Sequence, residues 1–154
     1  MPNPTHHMVK GAATAVAPYS HYVNFGDLVF VTGQIGMTPG DDSKPIPKDI
    51  ESETRRVMEN LRIIMADSGL TFDDVLASRV FLTRFEKDYE RMNAVYKTYF
   101  KRGKFPMRTC IGVTALARGS RLEIDFICRR PPARKAKKAV RRPSRTAARA
   151  KRRR

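Results

Sequence analysis

The run Arg121-Leu122-Glu123-Ile124-Asp125-Phe126 alternates polar and apolar residues without a break, and Ile127 follows it. A β-strand sorts such a run cleanly, because its side chains point to opposite faces with period two. Leu122, Ile124 and Phe126 take the apolar side, and Arg121, Glu123 and Asp125 the polar one. The stretch from Phe105 to Val113 reads as a second strand. It places Arg108, Cys110 and Gly112 on one side and Thr109, Ile111 and Val113 on the other. Together the two runs predict a sheet with one greasy face and one face that carries Arg108, Cys110 and Glu123.

The rest of the chain supplies what such a sheet packs against. Tyr22 to Asn24 and Leu28 to Ile35 flank the turn-like Asn24-Phe25-Gly26-Asp27 and read as a hairpin. Gly33, inside the second of these strands, marks a bulge or a close backbone approach to a ligand, or else a packing need alone. Thr38 to Lys48 is a Pro- and Asp-rich loop. Asp49 then suits an N-cap, with Ile50, Val57, Leu61 and Ile64 at helical spacing and Gly69 as the stop. Thr71 to Asp74 resembles a small capping box. Val75 to Thr83 is a strand, and a second helix spans about Asp88 to Arg102 with Tyr89, Met92, Tyr96 and Tyr99-Phe100 as its core stripe. Asn93 lies at the edge of that stripe, as a solvated amide or as a side chain reaching into a pocket. The order strand, strand, helix, strand, helix, strand, strand is α+β: one sheet with two helices on one face. The helices are expected over the Ile111 and Val113 side. The opposite face, with Arg108, Cys110 and Glu123, stays open and suits burial by a second copy of the chain.

The charge divides the chain. Between Arg129 and Arg154 lie 14 of its 31 Lys and Arg and none of its 15 Asp and Glu, so residues 1–128 keep 17 basic against 15 acidic, a net of +2. The division is a flexible N-terminus (1–10), a folded domain (11–130) and a Lys/Arg/Ala/Pro-rich tail (131–154) with no hydrophobic face, expected to be disordered. No run approaches the ~20 apolar residues of a membrane span, and cytoplasm is the default location.

Several chemistries lack their residues. There is no Gly-rich phosphate loop, no GxSxG and no HExxH. His6, His7 and His21 cluster near the N-terminus, which speaks against a histidine base. Cys110 and Cys128 form no metal or disulfide pattern. Cys110 is packing, or a nucleophile if Arg108 lowers its pKa. Arg108 needs an anion if it is to be buried. That anion is either a ligand carboxylate, which matches its planar fork, or Glu123 or Asp125 in a structural ion pair.

Ala17-Pro18-Tyr19-Ser20, Thr32-Gly33-Gln34-Ile35-Gly36-Met37, Met92-Asn93-Ala94-Val95-Tyr96, Phe105-Pro106-Met107-Arg108-Thr109-Cys110 and Leu122-Glu123-Ile124 follow one another in the order and spacing of the RidA (YjgF-like) family of reactive enamine/imine deaminases, which the chain resembles from about Val9 to Arg130. The resemblance implies a chorismate-mutase-like protomer in a homotrimer, with sites in the clefts between subunits. It implies hydrolysis of 2-enamine/2-imino acids to 2-oxo acids and ammonia, without metal or cofactor. Arg108 then binds the substrate carboxylate and Glu123 positions or activates water. Cys110 lines the pocket, and Tyr19, Thr32, Gly33 and Asn93 match other pocket positions. Two residues depart from the pattern. Thr32 stands where serine is frequent, and Met107 replaces a small residue, which narrows the pocket or changes its specificity. Relatives described as ribonucleases or translation inhibitors give the alternative of a nucleic-acid-directed protein.

The tail lies outside that resemblance. Arg134, Lys135, Lys137, Lys138, Arg141, Arg142, Arg152, Arg153 and Arg154 suit sequence-independent contact with nucleic acid or another polyanion. No aromatic residue interleaves them for base stacking. A solubilising tail with no defined partner is the plainer alternative.

Overall fold

The structure is a computed structural model that describes residues 3–131. The tail cations from Arg134 onward therefore lie outside the described residues. Among the described residues, six strands form one sheet: β1 (Thr5–His7), β2 (Tyr22–Phe25), β3 (Leu28–Gln34), β4 (Val75–Leu82), β5 (Met107–Gly112) and β6 (Leu122–Arg129). Their order across the sheet is β1-β2-β3-β6-β4-β5. Only the β4–β5 pair is parallel. Helices α1 (Ile50–Asp67) and α2 (Phe85–Tyr96) pack on one face. This is the expected α+β architecture, a chorismate-mutase-like sheet covered by two helices.

The core forms where the two periodicities meet. Val57, Met58, Leu61, Ile64 and Met65 of α1 and Met92 and Tyr96 of α2 close over Val29, Val31, Val80, Leu82, Leu122, Ile124 and Phe126. Asp49 caps α1 by accepting the Ser52 N–H at 2.8 Å. After the helix, Gly69 takes a φ of +74° that favours glycine. The box at Thr71 closes as expected, with the Thr71 N–H donating to Asp74 Oδ2 at 2.8 Å.

Two readings need correction. The N-terminus does not fray throughout, since Thr5–His7 pairs with Tyr22–Asn24 as an edge strand. His7 stacks on Tyr22 with centroids 4.4 Å apart. Buried His21 holds the following segment by accepting the Val9 N–H at Nδ1 and donating from Nε2 to Ala13 O, at 2.8 and 3.1 Å. Helix α2 begins three residues earlier than expected and ends at Tyr96, where a 3₁₀ turn, Lys97–Tyr99, takes over. The aromatic stripe continues through that tighter turn, so apolar spacing alone did not mark the helix end.

The start of β6 is clamped by a buried acid. Glu53 of α1 has no exposure, and its Oε1 accepts from Ser120 Oγ, Arg121 N and Leu122 N at 2.5, 2.9 and 3.3 Å. Arg121 lies between Glu53 and buried Asp88, at 3.5 and 3.6 Å.

Candidate active site

Cross-strand register settles which side chains share a face, because laterally paired residues point the same way. Ser78 of β4 pairs with Arg108 of β5 and with Phe126 of β6. Arg108 therefore projects to the helix side, as does Cys110, whose partner Val80 is also paired with Ile124. Phe81 pairs with both Ile111 and Glu123. Glu123 therefore projects to the open side. Arg108 and Glu123 lie on opposite faces of one sheet, which corrects the expectation of a shared face. Alternation was read within each strand, and β4 lies between β5 and β6, so the relative parity of the two runs was not in either run. The helices cover the Arg108 and Cys110 side, and Thr109 and Ile111 face out.

On the helix side, Arg108 donates from Nη1 to Asn93 Oδ1 at 2.6 Å and from Nη2 to Tyr89 Oη at 3.4 Å. Its guanidinium carbon lies 5.1 Å from the Tyr96 ring centre and 5.9 Å from that of Tyr89, within cation–π range. These partners are all neutral. Tyr89, Asn93 and Tyr96 recur at helical spacing on α2, so one face of that helix meets the end of the sheet at Arg108. Beside it opens a cavity of about 340 Å³ lined by Asn93, Tyr96, Lys97, Phe105, Pro106 and Arg108. Sequence reading found Arg108 and Asn93 here. It treated the tyrosines as core stripe and passed over Lys97, although the same spacing would have placed them together.

The ion-pair alternative for Arg108 does not occur. Asp125 is held instead by Arg79, in a two-point contact with Nε–Oδ1 at 3.0 Å and Nη2–Oδ2 at 2.8 Å. That arrangement leaves Arg108 without a carboxylate among the described residues.

On the open side, β3 shifts register against β6 between Val31 and Gln34. Gly33 sits in this bulge. A Cβ there would run into Glu123 Oε1, so Gly33 marks the expected bulge and also leaves room for the Glu123 carboxylate. Burial is the main reason that the Glu123 carboxyl is held above its ordinary 4.5; the Asp125 charge adds to the rise and Arg79 opposes it. A cavity of about 450 Å³ on this face is lined by Tyr19, Thr32, Gly33, Arg79, Asp125 and His6, among others. His6 was missed because its segment was read as frayed. Met107 is 71% exposed and shares the register of Ala77, one residue off Arg108. It faces away from the Arg108 cavity and so does not narrow it.

Cys110 is half-buried, and burial pushes its thiol up despite the opposing effect of Arg108. A raised thiol with no histidine beside it is a poor nucleophile.

Fold and geometry define a class: an α+β protein with an arginine free of carboxylates at one sheet edge and a half-buried carboxylate on the open face. The chain belongs to the RidA (YjgF-like) family; the matching family model, described as "Endoribonuclease L-PSP", spans residues 9–129. It is 41% identical over 118 residues to "Protein DfrA" of Myxococcus xanthus, covering 75% of this chain and 88% of that protein. It is 34% identical over 121 residues to the "2-iminobutanoate/2-iminopropanoate deaminase" of Mus musculus, covering 79% and 87%. The crystal structure of E. coli TdcF with bound serine superposes with a TM-score of 0.75 at 32% identity, covering 82% of this chain and 99% of that one. Relatives within the family thus include deaminases of reactive intermediates, while the family description is that of a ribonuclease.

Proposed function

We propose that the protein hydrolyses reactive 2-enamine/2-imino acids to 2-oxo acids and ammonia, as a homotrimer whose sites lie between subunits. The observation that carries this reading is the separation of Arg108, with neutral partners only, from Glu123, on the other side of the same sheet. One protomer cannot bring them to one small substrate, but two copies can. The open face also exposes Phe30 (40%), Ile111 (45%) and Met107 (71%), the apolar material of an interface.

In the assembled cleft, Arg108 of one subunit holds the substrate carboxylate in a two-point contact. The Glu123 carboxylate of the next takes a proton from water as the water oxygen bonds to the imine carbon. The nitrogen gains that proton to give a carbinolamine; the hydroxyl proton then passes through Glu123 to the nitrogen as the C–N bond breaks and the C=O bond forms, releasing ammonia and the 2-oxo acid. Thr32, Gly33 and Tyr19 border the water side, and Cys110 is wall. The imine carbon is already electrophilic, so positioning and one general base are the contributions required. The serine bound in the TdcF structure supports an amino-acid-like ligand. The test is ammonia release from a 2-imino acid generated in situ. Arg108→Ala should lower kcat/KM by at least about 10²-fold, and unchanged turnover in that variant would remove the carboxylate clamp.

A second reading, an RNA-directed protein, rests on the family description and on the 14 cations after residue 128. If about half of them met phosphates, log K should fall against log salt with a slope near −6. Deleting residues 131–154 should abolish binding, and equal binding by the shortened chain would remove the tail from this role. Assaying imine hydrolysis in both forms separates the readings. Among the described residues, no helix is long and apolar enough to cross a membrane, and a cytoplasmic location is part of the proposal.

A further inference from the structure

We infer that the Arg108 cavity selects a substrate with two anionic groups: a 2-imino acid whose side chain ends in a second carboxylate, read by Lys97. This rests on the deaminase reading of the cleft and names its substrate class. Lys97 follows directly on the last residue of α2, and its N–H donates back to Asn93 O, the residue whose side chain holds Arg108. The turn therefore places a second cation on the wall of the 340 Å³ cavity that Arg108 lines. No acidic residue lines that cavity. Neither Lys97 nor Arg108 forms an ion pair among the described residues. Both cations thus stand without a carboxylate partner beside the apolar wall of Tyr96 and Phe105. A substrate with one carboxylate satisfies Arg108 alone.

The division of labour follows from the two side chains. Arg108 is part-buried, oriented by Asn93 and flanked by tyrosine rings, so it fixes the reacting carboxylate. Lys97 is exposed, and its ammonium rides on a long four-carbon stem. It acts as a point charge that accepts side chains of slightly different length and adds selectivity without touching the reacting carbon. A partly screened pair of this kind corresponds to about five- to tenfold in affinity.

The test compares two five-carbon product-like ligands by calorimetry at low salt: 2-oxoglutarate, with two carboxylates, and 2-oxopentanoate, with one. The wild-type protein should bind the diacid about five- to tenfold more tightly. Lys97→Ala should erase that advantage, Lys97→Arg keep it and Lys97→Glu reverse it, while binding of the monoacid stays within about twofold in the Ala variant. Equal affinities in the wild type, or an advantage untouched by Lys97→Ala, would overturn the inference. In parallel, the imines formed by oxidation of glutamate and norvaline are assayed for ammonia release. If neither is hydrolysed faster than in buffer, the deaminase reading fails, and the binding ratio still decides the role of Lys97. Hydrolysis of both with preference for the norvaline imine would sink the substrate class and leave the deaminase standing.

Discussion

A methyl group on Gly33 would lie 2.0 Å from Glu123 Oε1 and 2.9 Å from its Cδ. Those atoms are the far end of a flexible side chain, so the sheet can keep its register while the carboxylate swings aside. Gly33→Ala should therefore cost about 1 kcal/mol in urea unfolding and yet lower kcat by about 10²-fold, because a general base displaced by an ångström no longer meets its water. A large loss of stability with normal kcat would show that the contact is packing alone. Glu123 itself makes a second prediction. Its folded pKa lies above the ordinary 4.5 because of burial first, then Asp125. Between 4.5 and that raised value the folded state binds more protons than the unfolded one. Its contribution to stability is thus full below 4.5 and falls as pH rises through the window. The wild type should lose stability with rising pH there relative to Glu123→Gln. The acid limb of kcat/KM should also lie above 4.5, and should vanish in that variant; an acid limb unchanged by Glu123→Gln would remove Glu123 as the base. Arg108, Glu123 and Gly33 were all visible in the chain. What Gly33 approaches was not, because the bulge that aims it at Glu123 exists only once β3 meets β6.

Helix α1 looked from its sequence like an amphipathic cover, and its first turn holds the acidic Glu51 and Glu53. One of these, Glu53, is a fully buried clamp on Ser120, Arg121 and Leu122. It fixes where β6 begins and so where Glu123 points. Removing one partner of a buried charge pair leaves the other uncompensated, so Glu53→Ala should destabilise the fold by about 3–5 kcal/mol. Denaturant unfolding measures this, and a loss under about 1 kcal/mol would show that solvent replaces the clamp. Local pattern identified α1, β4 and β6 because each has one dominant period and clear caps. It misjudged α2 because an aromatic stripe runs through the 3₁₀ turn, and it missed β1 because three polar residues carry no period. Tertiary partners decide such segments: the Tyr22 ring against His7, and the His21 imidazole between Val9 and Ala13.

At the scale of the whole molecule, the sheet separates the two groups that the proposed chemistry joins. The sequence displayed two polar half-faces but not their opposition, since neither run contains the strand that lies between them. If the cleft forms between subunits, the two halves of one site belong to different chains. Arg108→Ala and Glu123→Gln should each be nearly inactive alone. Unfolded together and refolded as a mixture, they should regain activity. A cyclic, head-to-tail trimer of randomly mixed chains places an intact Arg108 opposite an intact Glu123 in about one cleft in four. The mixture should therefore recover about a quarter of the wild-type rate, while each variant refolded alone stays at its low residual rate. Sedimentation should show trimers in all three samples, so that differences in activity report on composition rather than on assembly. A mixture as inactive as its components, with trimers intact, would place Arg108 and Glu123 in separate sites and end the shared-cleft reading.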